Sequence, residues 1–109
     1  MNMTKKALLG RYEEMRYVSQ TMLEAAKKGD WERLIKVEKT RSAIEEYLRR
    51  EDQTQWAGKD AENKAALIRA ILDADAQTSQ LTRQRMSEMQ NLLGNISAGK
   101  KMKKAYEHP

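Results

Sequence analysis

Apolar residues recur at three- and four-residue steps along most of this 109-residue chain, with charged and amide residues between them, and that period predicts amphipathic helices. In the first, Leu8, Tyr12, Met15, Ser19, Met22 and Ala26 advance by four, three, four, three and four, a heptad-like seam for packing on other helices. Thr4 is its expected N-cap, and Lys27, Lys28 and Gly29 its expected end. Asp30 caps a second helix that opens at Trp31, so two residues connect the pair and force an antiparallel hairpin. Leu34, Val37, Arg41, Ile44 and Leu48 form the inward stripe of that helix, flanked by Trp31, Ile35 and Tyr47, and fraying is expected after Arg50.

Residues 51 to 59 show no helical period and read as a loop, with the Trp56 indole covering the end of the bundle. From Asp60 to Ile96 the pattern resumes through Ala65, Ile68, Ile71, Leu72, Met86, Met89, Leu93 and Ile96. A helix of that length runs roughly 54 Å at 1.5 Å per residue. Aligning the three helices brings Ser19, Thr40 with Arg41, and Asp75 to one level, read as a polar layer that fixes register.

The third helix is longer than the first by about twelve residues, an overhang of roughly 18 Å that carries Met86, Met89, Leu92, Leu93 and Ile96. An apolar patch of this kind on a monomer is a binding surface or an aggregation hazard, and unbranched methionines suit an adaptable one. Gly94 and Gly99 weaken the helix beyond it. The segment Lys100 to Tyr106 then sets Met102, Ala105 and Tyr106 on one side and lysines around the rest, a candidate flap. The expected fold is all-α: an antiparallel three-helix bundle with a long third helix and a short, mobile C-terminal fourth helix. Residues 1–98 form the bundle domain and residues 99–109 a basic tail.

Composition sharpens this picture. Charged residues make up 34% of the chain, with one proline and no phenylalanine, as expected of helices with a long solvated surface. Cysteine is absent, which removes disulfides and thiolate metal sites and suits a reducing, cytoplasmic setting. No apolar run long enough for a membrane span or a signal peptide occurs. The net charge of +5 resolves into +3 from residues 100 to 109 and +2 from the rest, so the body is near neutral and the tail basic.

Catalytic constellations are missing from the pattern. His108 is the only histidine and lies one residue from the C-terminus, where it is expected to be disordered. That leaves imidazole acid/base chemistry and His-ligated zinc without support. No glycine-rich phosphate loop precedes a helix. The carboxylate pairs Glu13–Glu14 and Glu45–Glu46 read as solvated faces, because neighbouring helical positions do not converge. The reading is therefore a binding protein with no catalytic residue, no metal and no cofactor.

Leu8-Leu9 with Tyr12, Ser19-Gln20, Met22-Leu23, Ala26, Gly29-Asp30-Trp31, Leu34, Glu38, Arg41 and Ile44 resemble the first hairpin of the FliT family of flagellar export chaperones. Ile71-Leu72 with Asp75, Arg85-Met86, Met89 and the closing Gly99-Lys100-Lys101 to Ala105-Tyr106 resemble the rest. The polar run Gln77 to Gln80 and the loose Gly94 to Gly99 linker depart from the family pattern. The resemblance implies a cytoplasmic chaperone of flagellar type III secretion. Such a chaperone binds the C-terminal segment of the filament-capping protein, prevents its early assembly and brings it to the export ATPase complex and export gate. Some relatives also restrain the flagellar master transcription activator, and the last short helix can gate the binding surface.

On this reading Ile35, Met86, Met89, Leu93 and Ile96 hold an amphipathic client segment, and Met102 and Tyr106 form the competing internal ligand of a regulatory tail. A role for Tyr106 in gate or tail docking follows from its match to the family's C-terminal tyrosine. The rival is a homo-oligomer, a homodimer included, in which the same patches pair without a client. A nucleic-acid binder using the lysine tail is disfavoured by the near-neutral body and the lack of a base-reading module.

Overall fold

The computed structural model describes the backbone of residues 4–107 and the side chains of residues 4–95. It contains α1 (Lys5–Lys28), α2 (Trp31–Glu51) and α3 (Gly58–Glu107), with no strand among the described residues. The chain divides into two compact units, Met1–Ser79 and Gln80–Pro109. The first holds α1, α2 and the N-terminal part of α3.

Each boundary of the hairpin has a local cause. The Thr4 hydroxyl accepts a hydrogen bond from the Ala7 amide at 3.1 Å, satisfying one of the free N–H groups that open α1. Gly29 ends α1 in the left-handed region, φ 71°, where only glycine is unstrained, and its N–H returns to the Ala26 carbonyl at 3.1 Å. Asp30 then caps α2 through the Arg33 amide at 3.2 Å. A two-residue connection leaves α2 no course except back along α1.

The core of this unit is Leu8, Met15 and Val18 from α1, Ile44 and Leu48 from α2 and Ile71 from α3, with Tyr12, Val37 and Trp56 packed against it. Burial of each large aliphatic side chain stabilises the fold by roughly 2 kcal/mol. Met22 and Ala26 are buried as the heptad seam requires, and Val18, Leu23 and Ala25 widen that seam. Arg41 of α2 meets Asp75 of α3, and Asp52, just past α2, meets Lys64 of α3. Rising numbers on one helix therefore pair with falling numbers on the other, and α2 and α3 run antiparallel.

The connection between them is shorter than its sequence suggests. α2 continues through Glu51, and α3 begins at Gly58 rather than Asp60, leaving residues 52–57 as the loop. The lack of a helical period there reflects exposure of the helix ends. Ala57 already accepts from the Ala61 amide, at 3.4 Å.

In the second unit, every side chain described from Arg83 to Asn95 is exposed, including Met86, Met89, Leu92 and Leu93. The short fourth helix expected from residue 99, together with Ile96, Met102, Tyr106 and His108, lies outside the residues whose side chains are described.

Candidate functional site

The polar layer expected at mid-bundle exists in part. Arg41 grips Asp75 through both arms of its guanidinium, Nε donating to Oδ1 at 3.3 Å and the terminal nitrogen to Oδ2, while its other nitrogen donates to Glu45 at 3.0 Å. Burial opposes the Arg41 charge, but Asp75 first, then Glu45 and Glu38, hold its pKa above the ordinary guanidinium value. Thr40 is exposed and takes no place in the layer. Ser19 is wholly buried on α1, yet its hydroxyl has no hydrogen-bond partner among the described residues. One clamp between α2 and α3 thus stands where three helices were expected to share a network.

A second clamp forms where no periodic signal pointed. The Asp52 side chain is only 5% exposed and accepts from α1, α3 and the loop, while its backbone N–H closes α2 on the Leu48 carbonyl. Tyr12 Oη of α1 donates to Oδ2, Lys64 Nζ of α3 donates to the same oxygen at 2.7 Å, and the Trp56 indole N–H donates to Oδ1 at 2.9 Å. The Thr54 amide adds a bond to Oδ1 at 3.2 Å. Burial pushes the Asp52 pKa up, but the bonds from Lys64, Tyr12, Trp56 and Thr54 together outweigh it and bring it down to about 2. Tyr12 shifts the opposite way: its own burial and the adjacent Asp52 carboxylate raise its pKa well above the usual phenol value.

Aromatic rings complete this cluster. Tyr12 and Trp56 meet edge to face, with centroids 6.4 Å apart and planes at 81°. Lys64 Nζ lies 4.9 Å from the Trp56 ring centroid and 5.2 Å from that of Tyr12, close enough for cation–π attraction to add to its bond with Asp52.

Between the two clamps lies a groove of about 410 Å³, lined by Tyr12 and Met15 of α1, Arg41, Glu45, Leu48 and Arg49 of α2, Asp52, and Lys64, Ile68, Ile71, Leu72 and Asp75 of α3. Met15, Leu48, Ile68, Ile71 and Leu72 are its apolar lining, and Leu72 is exposed. The three cations of the lining, Arg41, Arg49 and Lys64, pair with its three anions, Glu45, Asp52 and Asp75. The groove therefore offers an apolar surface framed by charges already neutralised by one another. A second hollow between α1 and α3, lined by Leu9, Gly10, Glu13, Asn63, Ala66 and Leu67, has no comparable set of paired charges.

Of the residues read from sequence as client contacts, Ile35 is exposed on α2 within the bundle. Met86, Met89 and Leu93 are exposed in the second unit, at the three- and four-residue spacing of one helical face. Arg41 and Asp75 were singled out for register and line the groove as well. Asp52 was missed, because its donors lie 40 residues back, 4 ahead and 12 ahead and form no local motif. A buried-looking tryptophan four residues after an aspartate was the available sign.

Among the described residues, no group of three His, Cys, Asp or Glu side chains is placed to hold a metal ion, and no helix is long and apolar enough to cross a membrane. The described residues thus form an all-helical protein with an apolar groove framed by internally paired charges. A family model described as flagellar protein FliT matches residues 9–108, and the chain belongs to the FliT family. That is a family of flagellar chaperones, not one known for enzymes. No solved structure gives a significant match.

Proposed function

We propose that this protein is an export chaperone of the flagellar type III system that holds the C-terminal, disorder-prone segment of the filament-capping protein. It keeps that client from assembling early and delivers it to the export ATPase complex and the export gate. Membership of a flagellar chaperone family supports the role. The mechanism rests on one observation: Met86, Met89, Leu92 and Leu93 are exposed together on α3, more apolar surface than a solvated helix needs.

Capture is helix-in-groove. One apolar stretch of the client meets Ile35 and the α2–α3 groove of the first unit, and another meets Met86, Met89, Leu93 and Ile96 of the second. The tail, residues 99–109, gates access, with Met102 and Tyr106 as the internal competitor. Ordering a disordered client consumes part of the interaction free energy, so affinity is moderate.

The test is calorimetric titration of the full chain, and of a chain ending at Ser97, with a C-terminal peptide of the filament-capping protein from the same genome. Binding that tightens on truncation is the expected result. Unchanged or weaker binding by the shorter chain removes the gating role, and no binding by either removes the client. The exposed methionine run also fits a second copy of the chain, and sedimentation velocity over a range of concentrations separates a client-free homodimer from a monomeric chaperone.

A further inference from the structure

The two clamps bracket the groove with matched spacing. Arg41 and Asp52 are eleven residues apart at the α2 side, and Asp75 and Lys64 are eleven apart on α3. That separation is about three helical turns, roughly 16 Å. Leu48, Ile68, Ile71 and Leu72 lie in the interval. At one end the width of the groove is set by a bidentate arginine, which has few ways to move. At the other end no direct guanidinium fork exists. Everything there converges on one carboxylate, which ties α1, the loop and α3 to the C-terminus of α2.

From this convergence we infer that Asp52 is the positioning residue of the client groove: it fixes the separation of α2 and α3 at the loop end, so that the apolar floor is formed before a client arrives. The inference rests on the groove being a client surface. It does not require Asp52 to touch the client, since its lone pairs are already occupied by Tyr12, Lys64, Trp56 and Thr54. Its effect is to remove the cost of closing the helices onto the bound segment, and preorganisation of that kind acts on affinity without adding a contact. Replacing the carboxylate leaves Lys64 partly buried without its anion, and α3 is free to move outward to hydrate it.

The experiment uses the full chain. Because the protein has no cysteine, Glu46→Cys on α2 and Arg69→Cys on α3, both exposed, supply the only attachment points for two nitroxide labels. Distances between the labels are measured by pulsed electron resonance, and affinity for the capping-protein peptide is measured on the unlabelled chains. Asp52→Asn is compared with Met22→Ala, which removes buried volume from α1 at a residue outside the groove lining. Lys64→Met, which loses only the α3 arm, serves as the second groove variant if Asp52→Asn does not fold.

The expected result is a broadened distance distribution and a Kd raised by roughly tenfold in the groove variant, with neither change in Met22→Ala. A distribution as narrow as wild type, equal broadening in Met22→Ala, or broadening with unchanged Kd each overturns the assignment. A wild-type chain that binds no peptide defeats the chaperone reading instead, and the distance measurement then still decides whether Asp52 sets the helix separation.

Discussion

Asp52 keeps its charge although burial works against it. With a folded pKa of about 2 against an ordinary carboxylate value near 4, the ionised form stabilises the fold above the ordinary value, by about 2 kcal/mol. That contribution is lost as pH falls from about 5 to about 2. Urea unfolding followed across this interval should show a falling midpoint in the wild type and a flatter curve in Asp52→Asn. Ser19 presents the reverse situation, a buried hydroxyl without a partner among the described residues. Ser19→Ala removes the desolvation cost of that hydroxyl, and unfolding free energy should rise by about 1 kcal/mol. Arg41 could be read from sequence because it falls on the inward stripe of α2, where a charge needs a partner, and Asp75 was matched to it by level. Ser19 lies on the α1 seam at the same level, but its short side chain makes no bond there. Asp52 was out of reach because its partners come together only when three helices have already packed.

The hairpin of α1 and α2 was legible almost to the residue, since its caps are local chemistry: a hydroxyl, a glycine and a carboxylate at the positions that leave amides or carbonyls free. Gly29→Ala tests that logic. A Cβ at φ 71° is strained, while the nearest atom it would meet, Trp31 Nε1 at 3.9 Å, is at ordinary contact distance. The cost is therefore conformational, and thermal or urea unfolding should register a loss of about 1 kcal/mol. The second connection was read too long, because the end of α2 and the start of α3 carry solvent-facing residues whose identity says little about helicity. Along α3, the exposed methionines were foreseen from a count of turns: an apolar period that outlasts its packing partners has no core to enter.

For the whole molecule, the balance of charge decides how binding responds to salt. The groove holds equal numbers of cations and anions, each engaged with another. A further excess of +3 belongs to residues 100 to 109. Client affinity measured on the chain ending at Ser97 should change by less than about threefold between low and high salt, because no unpaired groove charge remains to be screened. A steep dependence would mean that the client meets charged surface elsewhere. The all-helical class, the short first turn and the near-neutral body could all be drawn from pattern and composition. The frame of the groove could not, since it depends on how two helices meet.

The equal eleven-residue spacing of the two clamps also forbids sliding. Were α3 to slip by a single turn along α2, apolar side chains would still cover apolar side chains, yet Arg41, Asp75, Lys64 and Asp52 would all lose their partners in the same step. Two pins at a common interval admit one alignment, as matched holes do in a hinge plate.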